Sequence, residues 1–293
     1  MPDGTEDIML TERVYLSDDK SVFMDALWLE KYDYLPKRKA MIVFPGGGYG
    51  ILAAHEAWPV ARAYFGRGFN TFVLNYTTKT VKQDLIGKDG VPLPLTDAAK
   101  AIAHVRKNAD KYGIDPDKIC ILGFSAGGHL ASATATMWHH EEIIRSACLT
   151  YGDNKPNAAV LCYPVITGDE SKGAHIGSFK NLLYGDNTTA KDREKYSSEK
   201  NVSEKTCPCY IWHTSEDHGV PITNSYEMAR ALKKFGIDHQ VHLYPYLNHG
   251  TGASYGKLHT DGVPCKYDFY NRKWLDESID FIEYILDKGG DEK

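Results

Sequence analysis

The sequence predicts an α/β chain with a mostly parallel central sheet and helices on both faces. Three observations carry this. Apolar runs of strand length alternate with segments of helical period along most of the 293 residues. Cap residues punctuate several of those segments. The pentapeptide Gly123-Phe124-Ser125-Ala126-Gly127 sits between an apolar run and an Ala-rich helical one, a strand-turn-helix context.

In chain order, an antiparallel lead-in around Val22–Leu29 precedes strands at Ala40–Phe44, Thr71–Tyr76, Lys118–Leu122, Ala158–Cys162, Tyr210–His213 and Gln240–Tyr244. Helices are expected near His55–Gly66, Leu95–Tyr112, Ala126–Trp138, Ile222–Phe235 and Tyr270–Lys288. Thr96-Asp97 reads as a helix start, and Gly113 and Gly236 read as helix stops. Two stretches break the rhythm. Pro164 to Pro208 and Gly250 to Phe269 are rich in Gly, Ser, Asn and charge, the composition of functional or mobile connections. The reading is therefore one domain over 1–293, with an insertion at 164–208 long enough to form a small lid.

Composition excludes several classes. With 42% hydrophobic residues the chain can bury a sizeable core. Its 34 Lys+Arg and 39 Asp+Glu form no long block of one sign, so no nucleic acid or membrane surface is expected as a partner. The start, MPDGTEDIML, lacks a basic head and an apolar stretch, and no run approaches the roughly 20 apolar residues of a membrane span. A cytoplasmic location is the expectation. The six cysteines are too sparse for a disulfide framework; Cys120, Cys148 and Cys162 lie in apolar surroundings and read as buried free thiols. Cys207-Pro208-Cys209 lacks the spacing and the second pair that zinc ligation needs, so no metal is expected.

The chemistry starts at Ser125. In G-x-S-x-G the flanking glycines must be small for neighbouring backbone to pass, while the serine stands at the strand's C-terminal edge and the helix from Ala126 aims its dipole at any oxyanion formed there. The competing reading is a Gly-rich turn with a capping serine. Pro45-Gly46-Gly47-Gly48-Tyr49, after the strand Ala40–Phe44, can finish an oxyanion hole, with Gly47, Gly48 and Ala126 amides as the donors. A phosphate loop is the alternative, but position 51 is Ile and no Gly-Lys-Ser/Thr occurs. The base is assigned to His249, just past the last strand, and the orienting acid to Asp217, after the strand Tyr210–His213, with Glu216 as its rival. Tyr49, Glu56 and His175 are candidate substrate contacts; for Glu56 a helix-opening or core role ranks ahead, and for His175 a solvated loop position is the alternative.

The motifs PGGGY (Pro45–Tyr49), FVLNY (Phe72–Tyr76), GFSAGGHLA (Gly123–Ala131) and YPVI (Tyr163–Ile166), with Glu216–Pro221 and Asn248-His249-Gly250, resemble the feruloyl and acetyl esterase branch of α/β-hydrolases, whose members include acetylxylan esterase-like and other carbohydrate esterase-like proteins. The resemblance runs from about Ala40 to the C-terminus. It implies the α/β-hydrolase fold, Ser125 as nucleophile, Asp217 and His249 as its partners, no cofactor, and an ester substrate that is a small molecule or oligosaccharide. Acetylated plant-polysaccharide fragments lead, feruloyl esters follow, and amide hydrolysis or a non-catalytic binding role are the rivals of other classes. Two departures stand out. Related enzymes often carry His where Pro45 stands, so glycine-loop order must come from Pro45 or another contact, and Gly250–Phe269 is longer than expected.

Overall fold

The computed structural model describes residues 9–30, 36–253 and 272–291. Eight strands form one sheet in the order β1-β2-β4-β3-β5-β6-β7-β8. The strands are β1 (Met9–Tyr15), β2 (Phe23–Leu29), β3 (Arg38–Phe44), β4 (Phe69–Asn75), β5 (Ile114–Phe124), β6 (Ala158–Cys162), β7 (Cys209–Thr214) and β8 (His239–Tyr244). β1 and β2 pair antiparallel with each other, β2 pairs antiparallel with β4, and the remaining pairings are parallel. β1 is the element that the sequence reading missed. Its residues alternate between exposed and partly buried, and Arg13 is held against its register partner Asp25 by bonds of 2.6 and 2.9 Å.

The parallel strands are covered on both faces, which is why they read as continuous apolar runs. Along β3, β5 and β6 successive side chains enter opposite layers. Met41, Val43, Leu122, Phe124, Val160 and Cys162 face one layer with α1 (Trp58–Phe65) and α8 (Lys273–Asp291). Ile42, Phe44, Ile121, Ala159 and Leu161 face the other with α2 (Leu93–Lys107), α3 (Ser125–Met137) and α7 (Thr223–Lys234). Full burial of each large side chain contributes roughly 1.5–3 kcal/mol. Trp212 and Trp274, both wholly buried and stacked at 5.3 Å, pin α8 to β7.

Several boundaries move. The segment expected as one helix from His55 begins instead with a 3-10 turn, Ala54–Glu56, before α1. Thr96-Asp97 is not a cap, because α2 starts at Leu93 with prolines at its entry; Asp97 is buried and accepts from Thr77 N (2.8 Å) and Oγ1 (2.6 Å), and burial pushes its carboxyl up to about 6. Gly236 does end α7: at φ 69° it lets Ile237 N–H reach Leu232 O and its own N–H reach Lys233 O. Cys148 is exposed, contrary to expectation, whereas Cys120, Cys162, Cys207 and Cys209 are buried free thiols. The span 164–208 contains α5 (Ile176–Leu182) and α6 (Ala190–Lys195), and its Phe179, Leu182, Leu183 and Tyr196 join the core. A short helix, α4 (Glu141–Ser146), follows α3. Most of 250–269, and the expected helix start at Tyr270, lie outside the described residues. No described helix is long and apolar enough to cross a membrane.

Chain direction across the sheet changes at β3. The chain leaves β3 for β4 on one side and returns to β5 on the other. At such a switch point the loops after two neighbouring strands diverge and leave a crevice at their carboxyl ends. Here those loops are the glycine run and the Ser125 turn.

Candidate active site

Ser125 directly follows β5 as the first residue of α3, with φ 53°, a left-handed conformation that costs a non-glycine residue about 1–3 kcal/mol. Packing holds it there. A Cβ on Gly123 would strike the Gly127 carbonyl, and one on Gly127 would strike the carbonyls of Phe44 and Pro45, so both positions require glycine. Ser125 O also accepts from Val165 N at 3.1 Å.

Two loops from distant sequence meet the serine. His249 Nε2 lies 2.7 Å from Ser125 Oγ, and His249 Nδ1 lies 2.7 Å from Asp217 Oδ2. A carboxylate only accepts, so Nδ1 carries the ring proton and Nε2 accepts from the serine hydroxyl. Asp217 is buried whereas Glu216 is exposed, which separates the two rivals. The other carboxylate oxygen, Oδ1, accepts from Gly219 N (2.9 Å) and Val220 N (2.8 Å). Burial would raise the Asp217 carboxyl, but the bonds from His213 and His249, the His249 charge and the Val220 amide outweigh it and hold the group well below the ordinary range.

The His249 ring is placed by residues that the sequence reading did not single out. Tyr163, at the end of β6, meets it edge-on at 4.9 Å between centroids. Asn248 Oδ1 accepts from both His218 N (3.0 Å) and His249 N (2.7 Å), tying the two loops together. A Cβ on Gly219 would come within 2.9 Å of His249 Cβ and Cγ, so glycine there lets the ring approach. The available signals were the i,i+4 spacing of His213 and Asp217 and the glycine at 219.

The amides expected to form an oxyanion hole lie in the glycine loop after β3 and at the start of α3. Among the described residues no protein acceptor meets the amides of Gly47, Gly48 or Ala126. Gly47 (φ 121°) and Gly48 (φ 63°) hold conformations that suit glycine, and Ala126 lies in the first turn of α3, where amides have no intrahelical acceptor. What orders the loop in place of a histidine at 45 is now visible. Tyr76 Oη donates to Pro45 O (2.6 Å), Gly46 N donates to Glu56 Oε2 (2.8 Å), and Asn181 of α5 donates to Gly48 O (2.8 Å).

Tyr49 is corrected as a substrate contact, and Glu56 takes the core role that ranks ahead of substrate contact. Tyr49 is wholly buried and donates to His129 Nδ1 at 2.8 Å, while His129 Nε2 donates to Tyr196 O at 2.8 Å; burial pushes that imidazole down to about 4 and keeps it neutral. Glu56 is 2% exposed, too enclosed to reach a ligand. Its carboxylate instead bridges the two halves of the site: Oε2 takes Gly46 N, Oε1 takes Tyr163 Oη (2.6 Å), and Tyr163 Oη takes Gly252 N (2.8 Å) from the His249 loop. Glu56→Gln offers one acceptor where two donors need one each, so a roughly tenfold lower kcat and a loss of about 1–3 kcal/mol of stability are expected. Steady-state kinetics and thermal melting check this.

His175 remains beside the site. It caps α5, with Nδ1 accepting from Ser178 N (3.3 Å) and Oγ (2.8 Å), so its proton lies on Nε2. Burial and then the charge of His249 lower its pKa, so the ring is neutral and close enough to the triad to feel it.

A mostly parallel sheet with a strained serine turn after β5, a buried acid after β7 and a histidine after β8 defines an α/β-hydrolase fold. The BD-FAE family model matches residues 33–232, and the chain belongs to that family. Its relatives include endo-1,4-beta-xylanase B of Butyrivibrio fibrisolvens, 35% identical over 270 residues, covering 85% of this chain and 41% of the relative. Another is an acetylxylan esterase of Xylanibacter ruminicola, 31% identical over 243 residues, covering 81% and 45%. The chain thus spans less than half the length of these two curated relatives. Among solved structures it is similar to an acetyl ester-xyloside bifunctional hydrolase from Caldicellulosiruptor lactoaceticus, at 36% identity and a TM-score of 0.71, covering 92% of this chain and 97% of that one.

Proposed function

We propose that this chain is a serine carboxylic-ester hydrolase that removes acetyl groups from xylan-type oligosaccharides through an acyl-enzyme. The observation that carries the reaction is the continuous hydrogen-bonded chain Ser125–His249–Asp217, with bonds of 2.7 and 2.7 Å, beside amides without acceptors. Ser125 Oγ attacks the ester carbonyl while His249 Nε2 takes its proton. The carbonyl oxygen becomes negative against the amides of Gly47, Gly48 and Ala126, each such donor contributing about 10²–10³-fold. His249 returns the proton to the departing sugar hydroxyl, leaving acetyl on Ser125. Water, deprotonated by the same ring, then releases acetate.

The acyl group and the sugar are supported by the relatives, two of which are named for acetyl esters or acetylxylan. His175 Nε2–H is the donor assigned to a sugar hydroxyl on the alcohol side. His175→Phe is expected to raise KM about fivefold on acetylated xylo-oligosaccharides, with a smaller effect on p-nitrophenyl acetate, as loss of a ground-state contact should. Mass spectrometry of products from a mixed panel of acetylated and feruloylated oligosaccharides tests the whole reading. Release of acetate supports it, release of ferulate alone replaces the acyl group, and no product from either sinks it.

A further inference from the structure

A second imidazole touches the acid of the triad. His213, at the end of β7, is wholly buried, and its Nε2 lies 3.2 Å from Asp217 Oδ2, the same oxygen that His249 Nδ1 meets at 2.7 Å. The same Nε2 lies 2.9 Å from Val220 O, and Nδ1 lies 2.8 Å from Ser225 Oγ on α7. Both groups facing Nε2 only accept, so the ring proton is there; it is donated to the Val220 carbonyl, with Asp217 Oδ2 beside it at 3.2 Å as a less well aligned acceptor, while the Ser225 hydroxyl can donate to Nδ1. With the amides of Gly219 and Val220 on Oδ1 and His249 on Oδ2, three hydrogen bonds hold Asp217, and His213 Nε2–H stands beside Oδ2 as a further, weaker polar contact.

We infer that His213 is a positioning residue for catalysis: it holds the plane of the Asp217 carboxylate from the side opposite His249, and Ser225 in turn holds His213. This rests on the esterase reading of the triad. A carboxylate with only one imidazole on Oδ2 is freer to turn about its Cβ–Cγ bond and gives all of that oxygen to His249. The first effect misaligns the His249 ring. The second favours the imidazolium over the neutral ring that must accept the serine proton. The depressed carboxyl of Asp217 agrees, since hydrogen bonding to His213 is the foremost cause opposing its burial. A core histidine that merely ties Val220 to α7 would have neither consequence.

The test is the pH dependence of kcat/KM and the separate kcat and KM of His213→Leu, His213→Gln and Ser225→Ala, with fluorophosphonate labelling of the wild type as the control for the reading beneath. For His213→Leu, kcat should fall about tenfold, KM should stay within about twofold, and the acid limb should move to higher pH. His213→Gln, whose amide can donate to Oδ2, should recover most of kcat. Among the described residues, the other groups facing the His249 ring are Tyr163 just after β6, with Glu56 behind it, and His175 from the 164–208 span, and these substitutions leave all three in place. A folded His213→Leu protein with wild-type kcat and an unmoved acid limb overturns the inference. Should that variant not fold, Ser225→Ala decides: a two- to fourfold lower kcat with the limb moved the same way supports it, and an unchanged profile overturns it. A wild type that takes no label sinks the esterase reading and this inference together, whereas a labelled wild type matched by His213→Leu sinks the inference alone.

Discussion

Ser125→Ala is expected to lower kcat by about 10⁶-fold while leaving the melting temperature close to that of the wild type. The loss is large because, among the described residues, Oγ alone is hydrogen-bonded to His249 Nε2, at 2.7 Å. Stability should hold or rise slightly, since alanine keeps the Cβ that packs beside Gly46 and forfeits only one hydroxyl contact. The left-handed strain at 125 belongs to the backbone and stays. Labelling by a fluorophosphonate should be stoichiometric in the wild type and absent in the variant. A variant that keeps measurable turnover above about one part in a thousand would mean that the acyl group is carried elsewhere.

Asp217→Asn should cost about 10⁴-fold in kcat with little change in KM, through a tautomer error rather than lost packing. The surrounding donors dictate how the amide sits. Gly219 N and Val220 N both donate to the Oδ1 position, so the asparagine carbonyl must take that place. Its NH2 then occupies the Oδ2 position and points at His249 Nδ1, which must give up its proton to accept. The proton moves to Nε2 and faces Ser125, where a base is needed. Measured kcat within tenfold of wild type would contradict this account. The same carboxylate links folding to pH. Its folded pKa is depressed, so its contribution to stability is complete above the unfolded aspartate value of about 3.9 and is lost as pH falls through the folded value. Asp217→Asn lacks that step, so its melting temperature should fall less steeply than that of the wild type below about pH 4.

How much was legible follows from how local each feature is. β6 was read from Ala158 to Cys162, the same span that the structure has, because a strand buried on both faces is an apolar run with sharp ends. β1 was missed because an edge strand exposes half its residues, and Arg13 and Asp25 stabilise it only across the pairing. The start of α2 was misplaced because Asp97 resembles a cap in sequence but serves Thr77, 20 residues away. Ser125, His249 and Asp217 were named from motif and chain order, and the structure brings them together. Tyr49 was misassigned because closeness in sequence to the glycine loop does not say which way a side chain turns, and Glu56 takes the enclosed helix-entry role that was read ahead of substrate contact. Both turn inward.

By itself the sequence determined the alternation of strand and helix, the tight turn around Ser125 and the chain order of Ser125, Asp217 and His249, since each is written in short-range residue type and spacing. Only the tertiary structure decided that Glu56 links the glycine loop to the His249 loop through Tyr163, that Tyr76 holds the Pro45 carbonyl before the glycine run, and that His213 and His249 both stand beside the same oxygen of Asp217. These are contacts between groups up to 107 residues apart. A hydrogen bond depends on a few tenths of an ångström and on angle, and those are fixed when the sheet brings its strand ends side by side.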